Sequence, residues 1–358
     1  MKKICVITTC RSDFGYLYWI MKDIEASDKL ELQVMYPYTH QCHDEIWNTF
    51  TDHNNHAVLG DMNSIYDIGQ FFDRCLEAYN ILKPDFVLVL GDRFEIHAAA
   101  TAALLLNMPI AHIHGGEVTT GAFDNELRNA ITMMADIHFT SNYDYSMNLC
   151  KMGINGLKVF TVGSPGLDYI HRAKLLSKQE LQQRVTIDLN QPFIVACLQP
   201  TTKEPDRETT HAFNFMAALT SIDEQILMIS PNCDPKNNVI RQVAQATAKN
   251  YPSKIHIVEN LDHLTYLSLL QYAEMMVGNS SSGIIESASF NIPSVTVGSR
   301  QDGRIKASNT FSCPCETDAI LTAIDRAREW NALMGKCENP YGDGKSSQRI
   351  VKILEEIP

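Results

Sequence analysis

Phe86-Val87-Leu88-Val89-Leu90 runs without a break into Gly91-Asp92-Arg93-Phe94, and the reading of this stretch decides the fold. Five apolar residues in a row predict a parallel strand buried on both faces, because a half-exposed strand would alternate with polar residues. The pattern over 95–106 is helical. Together they form a strand-loop-helix unit, with Gly91, Asp92 and Arg93 in the loop. In open parallel sheets, ligands bind beyond the carboxyl ends of the strands. A carboxylate beside a guanidinium at that place fits acid-base chemistry next to an anion. It equally fits a structural ion pair that closes the turn.

The same alternation extends in both directions. Strands are expected over 4–8, 32–36, 110–113, 137–140 and 158–162, with helices over 14–24 and 125–135. Gly163-Ser164-Pro165-Gly166 then interrupts the pattern and is the best hinge candidate. Beyond it, strands are expected over 193–198, 225–229, 254–257, 275–277 and 294–297. Helices are expected over 207–219, 236–251, 263–271, 282–290, 317–330 and 347–355. Two βα halves of similar length predict an α/β protein of two Rossmann-like, doubly wound domains facing a cleft.

Composition narrows the function. At 358 residues the chain can bury two cores of ordinary size. Its formal net charge is −12 and it has no Lys/Arg run, which argues against nucleic-acid binding. Its apolar stretches are too short for a membrane span. The opening Met1-Lys2-Lys3 leads into a short apolar segment that soon meets Arg11, unlike a signal peptide. Ten scattered Cys then point to a reducing cytoplasm. Cys313-Pro314-Cys315 has no second half, so no metal site is expected. No Gly-x-Gly-x-x-Gly follows a strand, so no dinucleotide cofactor is expected. Gly344-Lys345-Ser346 lacks both the leading Gly and the strand of a phosphate-binding P-loop.

Three further loops carry chemistry. His112-Ile113-His114-Gly115-Gly116-Glu117 ends a buried strand, and Asp124 stands at a helix start. With Asp92 this places three carboxylates and a histidine at neighbouring strand ends, an arrangement able to separate an acid from a base. The bland alternatives are a helix cap at Asp124 and satisfied core histidines at His112 or His114. Gly278-Asn279-Ser280-Ser281-Ser282-Gly283 follows a strand and opens a helix, a fit for a diphosphate or for a plain Ser cap. Glu286 lies one turn on. Arg300 ends the next strand, and Arg11 and Asp13 follow the first.

Arg11-Ser12-Asp13, Gly91-Asp92-Arg93, His112 to Glu117, Gly163-Ser164-Pro165, Gly278 to Ser281, Gly298-Ser299-Arg300 and Asn339-Pro340-Tyr341-Gly342-Asp343-Gly344 occur in this order along nearly the whole chain. In that, the sequence resembles the hydrolysing UDP-N-acetylglucosamine 2-epimerases of bacterial sialic-acid and related nonulosonic-acid synthesis. The resemblance implies a glycosyltransferase-B-like fold: an N-terminal Rossmann-like domain over 1–165 with the acid-base residues, a nucleotide-binding domain over 166–335, and a helix over 336–358 that packs back on the first. It implies catalytic roles for Asp92, Glu117, Asp124 and His114. It implies substrate contacts from Arg11, Asp13, Arg93, Gln199, Asn232, Ser280, Ser281, Glu286 and Arg300. No cofactor is implied. The expected partners are a UDP-linked amino sugar, UDP and further copies of the chain in a homodimer or homotetramer. Relatives often carry Glu at position 114 and His at position 199; Gln199 can hydrogen-bond a phosphate but not neutralise it. Tyr16 replaces a Lys of some relatives. The rival readings are a non-hydrolysing epimerase, an epimerase for 2,4-diacetamido-trideoxyhexoses, a glycosyltransferase and a non-catalytic nucleotide-sugar-binding protein.

Overall fold

A computed structural model describes residues 1–204, 206–232, 236–259, 261–333 and 336–357. It contains two all-parallel sheets. The first is built from β1 (Lys2–Ile7), β2 (Leu30–Tyr36), β3 (His56–Val58), β4 (Phe86–Leu90), β5 (Ile110–Ile113), β6 (Ile137–Thr140) and β7 (Val159–Thr161), in the order β3-β2-β1-β4-β5-β6-β7. The second is built from β8 (Phe193–Cys197), β9 (Gln225–Ile229), β10 (Ile255–Val258), β11 (Met275–Gly278), β12 (Ser294–Val297) and β13 (Thr310–Cys313), in the order β10-β9-β8-β11-β12-β13. Strand order reverses between β1 and β4 in one sheet and between β8 and β11 in the other. The loops beyond those strand pairs are where a doubly wound sheet binds ligands.

Strand alternation explains why β1 and β4 read as unbroken apolar runs. Ile4, Val6, Leu88 and Leu90 enter the core beneath the helices Arg11–Glu25 and Ser346–Glu356. Cys5, Ile7, Val87 and Val89 enter a second core on the opposite face, beneath Ile68–Leu82 and Phe94–Leu105. A third core fills the second sheet's unit, around Ile194, Ala196, Phe215 and Val277. Among the described residues no helix is long and apolar enough to cross a membrane.

The division of the chain differs from the expected 1–165, 166–335 and 336–358. One unit holds Met1–Glu117, Asp124–Arg172 and residues 341–357; the other holds Val118–Phe123 and the described residues between Ala173 and Pro340. The break does not fall at Gly163-Pro165, because the helix Gly166–Arg172 packs on Arg11–Glu25. Arg172 grips Asp23 through both carboxylate oxygens, at 2.6 and 2.7 Å, and stacks over the Trp19 ring at 4.0 Å. Apart from the segment Val118–Phe123, the chain leaves the first unit only after that anchor. The expected boundary after 335 adjoins residues outside the described ones. Residues 337 and 339 still belong to the second unit: Asn339 Nδ2 donates to Ile285 O and Ser289 Oγ, both at 2.7 Å. The tail helix lies in the first unit. Its start is capped by Asp168, which accepts from the N–H of Ser346 at 2.9 Å and of Ser347 at 2.6 Å.

Strands β3 and β13 were not expected from the sequence. Both are sheet edges, short and only half-buried, so neither carries the apolar run that marks an inner strand. The helix expected over 282–290 is two four-residue turns, Ser282–Ile285 and Ser287–Phe290, joined at Glu286.

Candidate functional site

In the first unit the site grows from the ends of β4 and β5. Gly91 has φ +76°, a conformation that favours glycine, and the turn there aims Asp92 at the helix Asp124–Met134. Arg128 of that helix, with no exposed surface, donates through Nη2 to Asp92 Oδ2. Its Nη1 donates to the carbonyl of Glu117 at 2.8 Å. Arg128 therefore ties together the loops of two neighbouring strands. Asp124 opens the same helix one turn earlier and so shares a face with Arg128.

Glu117 is 1 % exposed, and its Oε1 accepts from Ser141 Oγ at 2.9 Å. His114 Nδ1 lies 3.7 Å from the same oxygen, while its Nε2 meets Ser164 Oγ at 3.2 Å. His114 adopts φ +69°, a left-handed conformation costing on the order of 1 kcal/mol for a non-glycine residue. It is held there by its N–H bond to Phe139 O at 3.0 Å and by edge contact with the Tyr16 ring. His112 is a different case. It is fully buried, and its Nε2 lies 2.8 Å from Gly91 O and its Nδ1 3.2 Å from Thr132 Oγ1. Burial pushes its pKa down to about 3, against the opposing pull of the Gly91 carbonyl. The ring is neutral at working pH.

The remaining residues expected in this unit sit at the β1–β4 reversal. Arg11 begins the helix Arg11–Glu25 and is half-buried. Asp13 is buried, and its Oδ2 accepts from Thr9 Oγ1 at 2.7 Å and from Thr9 N at 3.3 Å. That carboxylate oxygen closes the turn after β1. Arg93 Nη2 donates to Glu95 Oε1 at 2.8 Å.

In the second unit the loops after β8, β11 and β12 form one knot. Gly278 has φ +145°, and a Cβ there would stand 1.8 Å from Cys197 O, so only glycine lets β11 pass β8 this closely. Asn279 is nearly buried and clasps the backbone of Gln199: its Oδ1 accepts from Gln199 N at 2.6 Å and its Nδ2 donates to Gln199 O at 2.8 Å. Gln301 Nε2 donates to Asn279 O at 2.9 Å, and Arg300 Nε to Pro200 O at 3.1 Å. The side-chain amide of Gln199 is engaged internally, with Oε1 accepting from Asn232 N at 2.8 Å and Nε2 lying 3.1 Å from Cys197 Sγ. Ser280 and Ser281 stand half-buried on the loop beyond. Among the described residues no bond forms to their backbone N–H groups, which leaves donors for an anion. Glu286 is 2 % exposed at the joint between the two short turns.

The structure thus gathers Asp92, Glu117, His114 and, on the face of Arg128, Asp124 in one unit. It gathers Gln199, Asn232 and Arg300 in the other, with Ser280, Ser281 and Glu286 on the adjoining loop. Sequence reasoning missed Arg128, Ser141, Asn279 and Gln301. Arg128 left a trace, an Arg four residues after Asp124 on one helical stripe, and Asn279 lies within the Gly278 to Gly283 loop read from the sequence.

Residues 24–355 match the model of a family described as UDP-N-acetylglucosamine 2-epimerase. The chain is 32 % identical to a UDP-N,N'-diacetylbacillosamine 2-epimerase (hydrolyzing) of Legionella pneumophila, over all of this chain and 97 % of the relative. It is 29 % identical to a UDP-N-acetylglucosamine 2-epimerase of Neisseria meningitidis, over all of this chain and 95 % of that one. A crystal structure of the Neisseria meningitidis UDP-GlcNAc 2-epimerase bound to UDP-GlcNAc superposes with a TM-score of 0.82 at 18 % identity, covering both chains fully. Two Rossmann-like units with this topology make the fold glycosyltransferase-B-like, and the chain belongs to the UDP-N-acetylglucosamine 2-epimerase family.

Proposed function

We propose that the protein is a hydrolysing 2-epimerase: it converts a UDP-linked 2-acetamido sugar into the free 2-epimer and UDP. The observation that carries this reading is the cluster of Asp92, Glu117 and His114, cross-linked by Arg128 and Ser141 at the ends of β4 and β5. A C2 hydrogen of a sugar is not acidic, so the diphosphate must leave early. The C1–O bond breaks with its electron pair passing to UDP, and a carboxylate takes the C2 proton, which leaves a C1–C2 double bond. A carboxylic acid then returns a proton to C2 on the opposite face, and water adds its oxygen to C1 while giving up a proton to a carboxylate. Asp92, Glu117 and Asp124 supply the proton acceptor and donor. Arg300, Arg11 and the N–H groups at Ser280 and Ser281 stabilise charge on the departing diphosphate.

UDP-N-acetylglucosamine giving N-acetylmannosamine is the simplest substrate pair. A 2,4-diacetamido-trideoxy sugar is the second reading. It is favoured by the names of the Legionella pneumophila relative and of a Campylobacter jejuni relative, the latter 27 % identical over 92 % of this chain and called GDP/UDP-N,N'-diacetylbacillosamine 2-epimerase (hydrolyzing).

Reaction in D₂O with each UDP- and GDP-linked sugar tests both points. Deuterium at C2 of a free sugar, with UDP released in step, is the expected result. An epimerised sugar still bound to UDP would identify a non-hydrolysing enzyme. Protium at C2 with unchanged configuration would overturn the epimerase reading in favour of a transferase or simple glycosyl hydrolysis.

A further inference from the structure

We propose that His112 and Thr132 are positioning residues for Asp92, acting through the carbonyl of Gly91. This rests on the reading of Asp92 as a catalytic carboxylate. Gly91 ends β4 in the left-handed region. Its N–H continues the ladder to Ile113 O at 3.0 Å, but the positive φ takes it out of strand geometry just before Asp92. Its carbonyl meets a side chain instead, His112 Nε2 at 2.8 Å. A carbonyl only accepts, so Nε2 carries the proton. In a neutral ring Nδ1 must then accept, and Thr132 Oγ1, at 3.2 Å and fully buried, donates to it. Thr132 thus selects the tautomer that lets His112 hold Gly91.

The helix Asp124–Met134 is what joins this relay to the site. Asp124, Arg128 and Thr132 are spaced by four residues and fall on one stripe. Arg128 holds the Asp92 carboxylate, and Thr132, through His112, holds the peptide that precedes it. One rigid element therefore fixes Asp92 at both its side chain and its backbone. The turn of the neighbouring loop closes over the relay: a Cβ on Gly115 would lie 3.0 Å from Thr132 Oγ1 and 3.2 Å from His112 Nδ1. A small loss of register at such a site costs rate much more than affinity, since a carboxylate displaced by about 1 Å can lose about 10²-fold.

The test uses Thr132→Val, which keeps shape and removes the donor, with Thr132→Ser as its restoring partner and His112→Leu as the larger lesion. Turnover is read as UDP release from the UDP-linked sugar that turns over in the D₂O panel, alongside circular dichroism. Thr132→Val is expected to lower kcat at least about 10-fold with KM nearly unchanged, and Thr132→Ser to restore it. In an Asp92→Asn background, adding Thr132→Val should cost nothing further, because a residue that acts through Asp92 has nothing left to position. Thr132→Val with wild-type kcat, or an additive loss in the double variant, overturns the relay while leaving Asp92 in its role. Near-normal turnover of Asp92→Asn alone overturns both.

Discussion

Arg128 is wholly buried, and its guanidinium meets the Asp92 carboxylate and the Glu117 carbonyl. A fork with fixed donors is the side chain best suited to hold two loops at once. Removing one partner of such a pair leaves the other charge uncompensated. Arg128→Met is therefore expected to cost about 3 kcal/mol, the low end for a buried pair, since Asp92 keeps some water contact. It should also abolish most turnover. Arg128→Lys keeps the charge but loses the fork, so it should fold better than it works. Urea midpoints and turnover measured together check both statements, and an Arg128→Met protein of native stability would show that the pair does not brace the site. Asp13 also takes a local partner: one of its carboxylate oxygens accepts from Thr9 in the turn after β1. Spacing in a sequence locates a carboxylate at a strand end, but it does not say whether the turn itself uses the charge.

At the scale of elements, the switch-point loops show how strands fix a site. β8 and β11 approach so closely that a Cβ on Gly278 would overlap Cys197 O, whereas one on Gly91 would meet nothing within 4 Å. The two glycines serve different ends, one for space and the other for backbone angle alone. Gly278→Ala is expected to lose roughly 3 kcal/mol or more through overpacking and strain, and to weaken UDP binding by shifting Asn279 and Ser280. Gly91→Ala should cost only about 1–2 kcal/mol. Thermal unfolding of the two variants, with calorimetry of UDP on each, makes the comparison; equal losses would refute the assignment of close packing to Gly278. The inner strands were legible because burial on both faces demands continuous apolar residues. Among the edge strands, β7 and β10 still read as strands, whereas β3 and β13, half-exposed and with no apolar run, did not. The helix after β11 reads as one segment in sequence, and the structure interrupts it at the buried Glu286.

Across the whole molecule, burial places a set of histidines in the first unit that stay neutral when folded. His112 is pushed down to about 3, and His40, His56 and His138 to about 4, burial being the main cause in each. In the unfolded chain histidine titrates near about 6.5. Between those values the unfolded state binds more protons than the folded one, so stability is complete above about pH 6.5 and declines as pH falls toward 4. Urea midpoints are expected to drop between pH 7 and pH 5, a range above the ordinary titration of carboxylates. His138→Gln should flatten that slope. A midpoint that is level or rises on acidification over this range would contradict the buried neutral rings.

By itself the sequence determined the α/β class, the two parallel halves, the inner strands to within a few residues and the loops that carry the candidate site residues. These follow from local facts: an apolar run must be buried, and glycines and charges after it mark a strand end. It also carried the family, because Gly91-Asp92-Arg93, His112 to Glu117 and Gly278 to Ser281 keep their order. Tertiary structure alone decided which partners those residues take. Arg128 reaches Asp92, Ser141 reaches Glu117, Thr132 reaches Gly91 through His112, and Asn279 clasps Gln199. Each of these contacts joins separate strands, helices or loops. Tertiary structure also decided where the chain divides, since Arg172 is anchored to Asp23 and Trp19 and the tail helix starts on Asp168. The physical reason is the same throughout: hydrophobic burial is written residue by residue along the chain, whereas a hydrogen bond between distant elements exists only once packing has brought its donor and acceptor within about 3 Å.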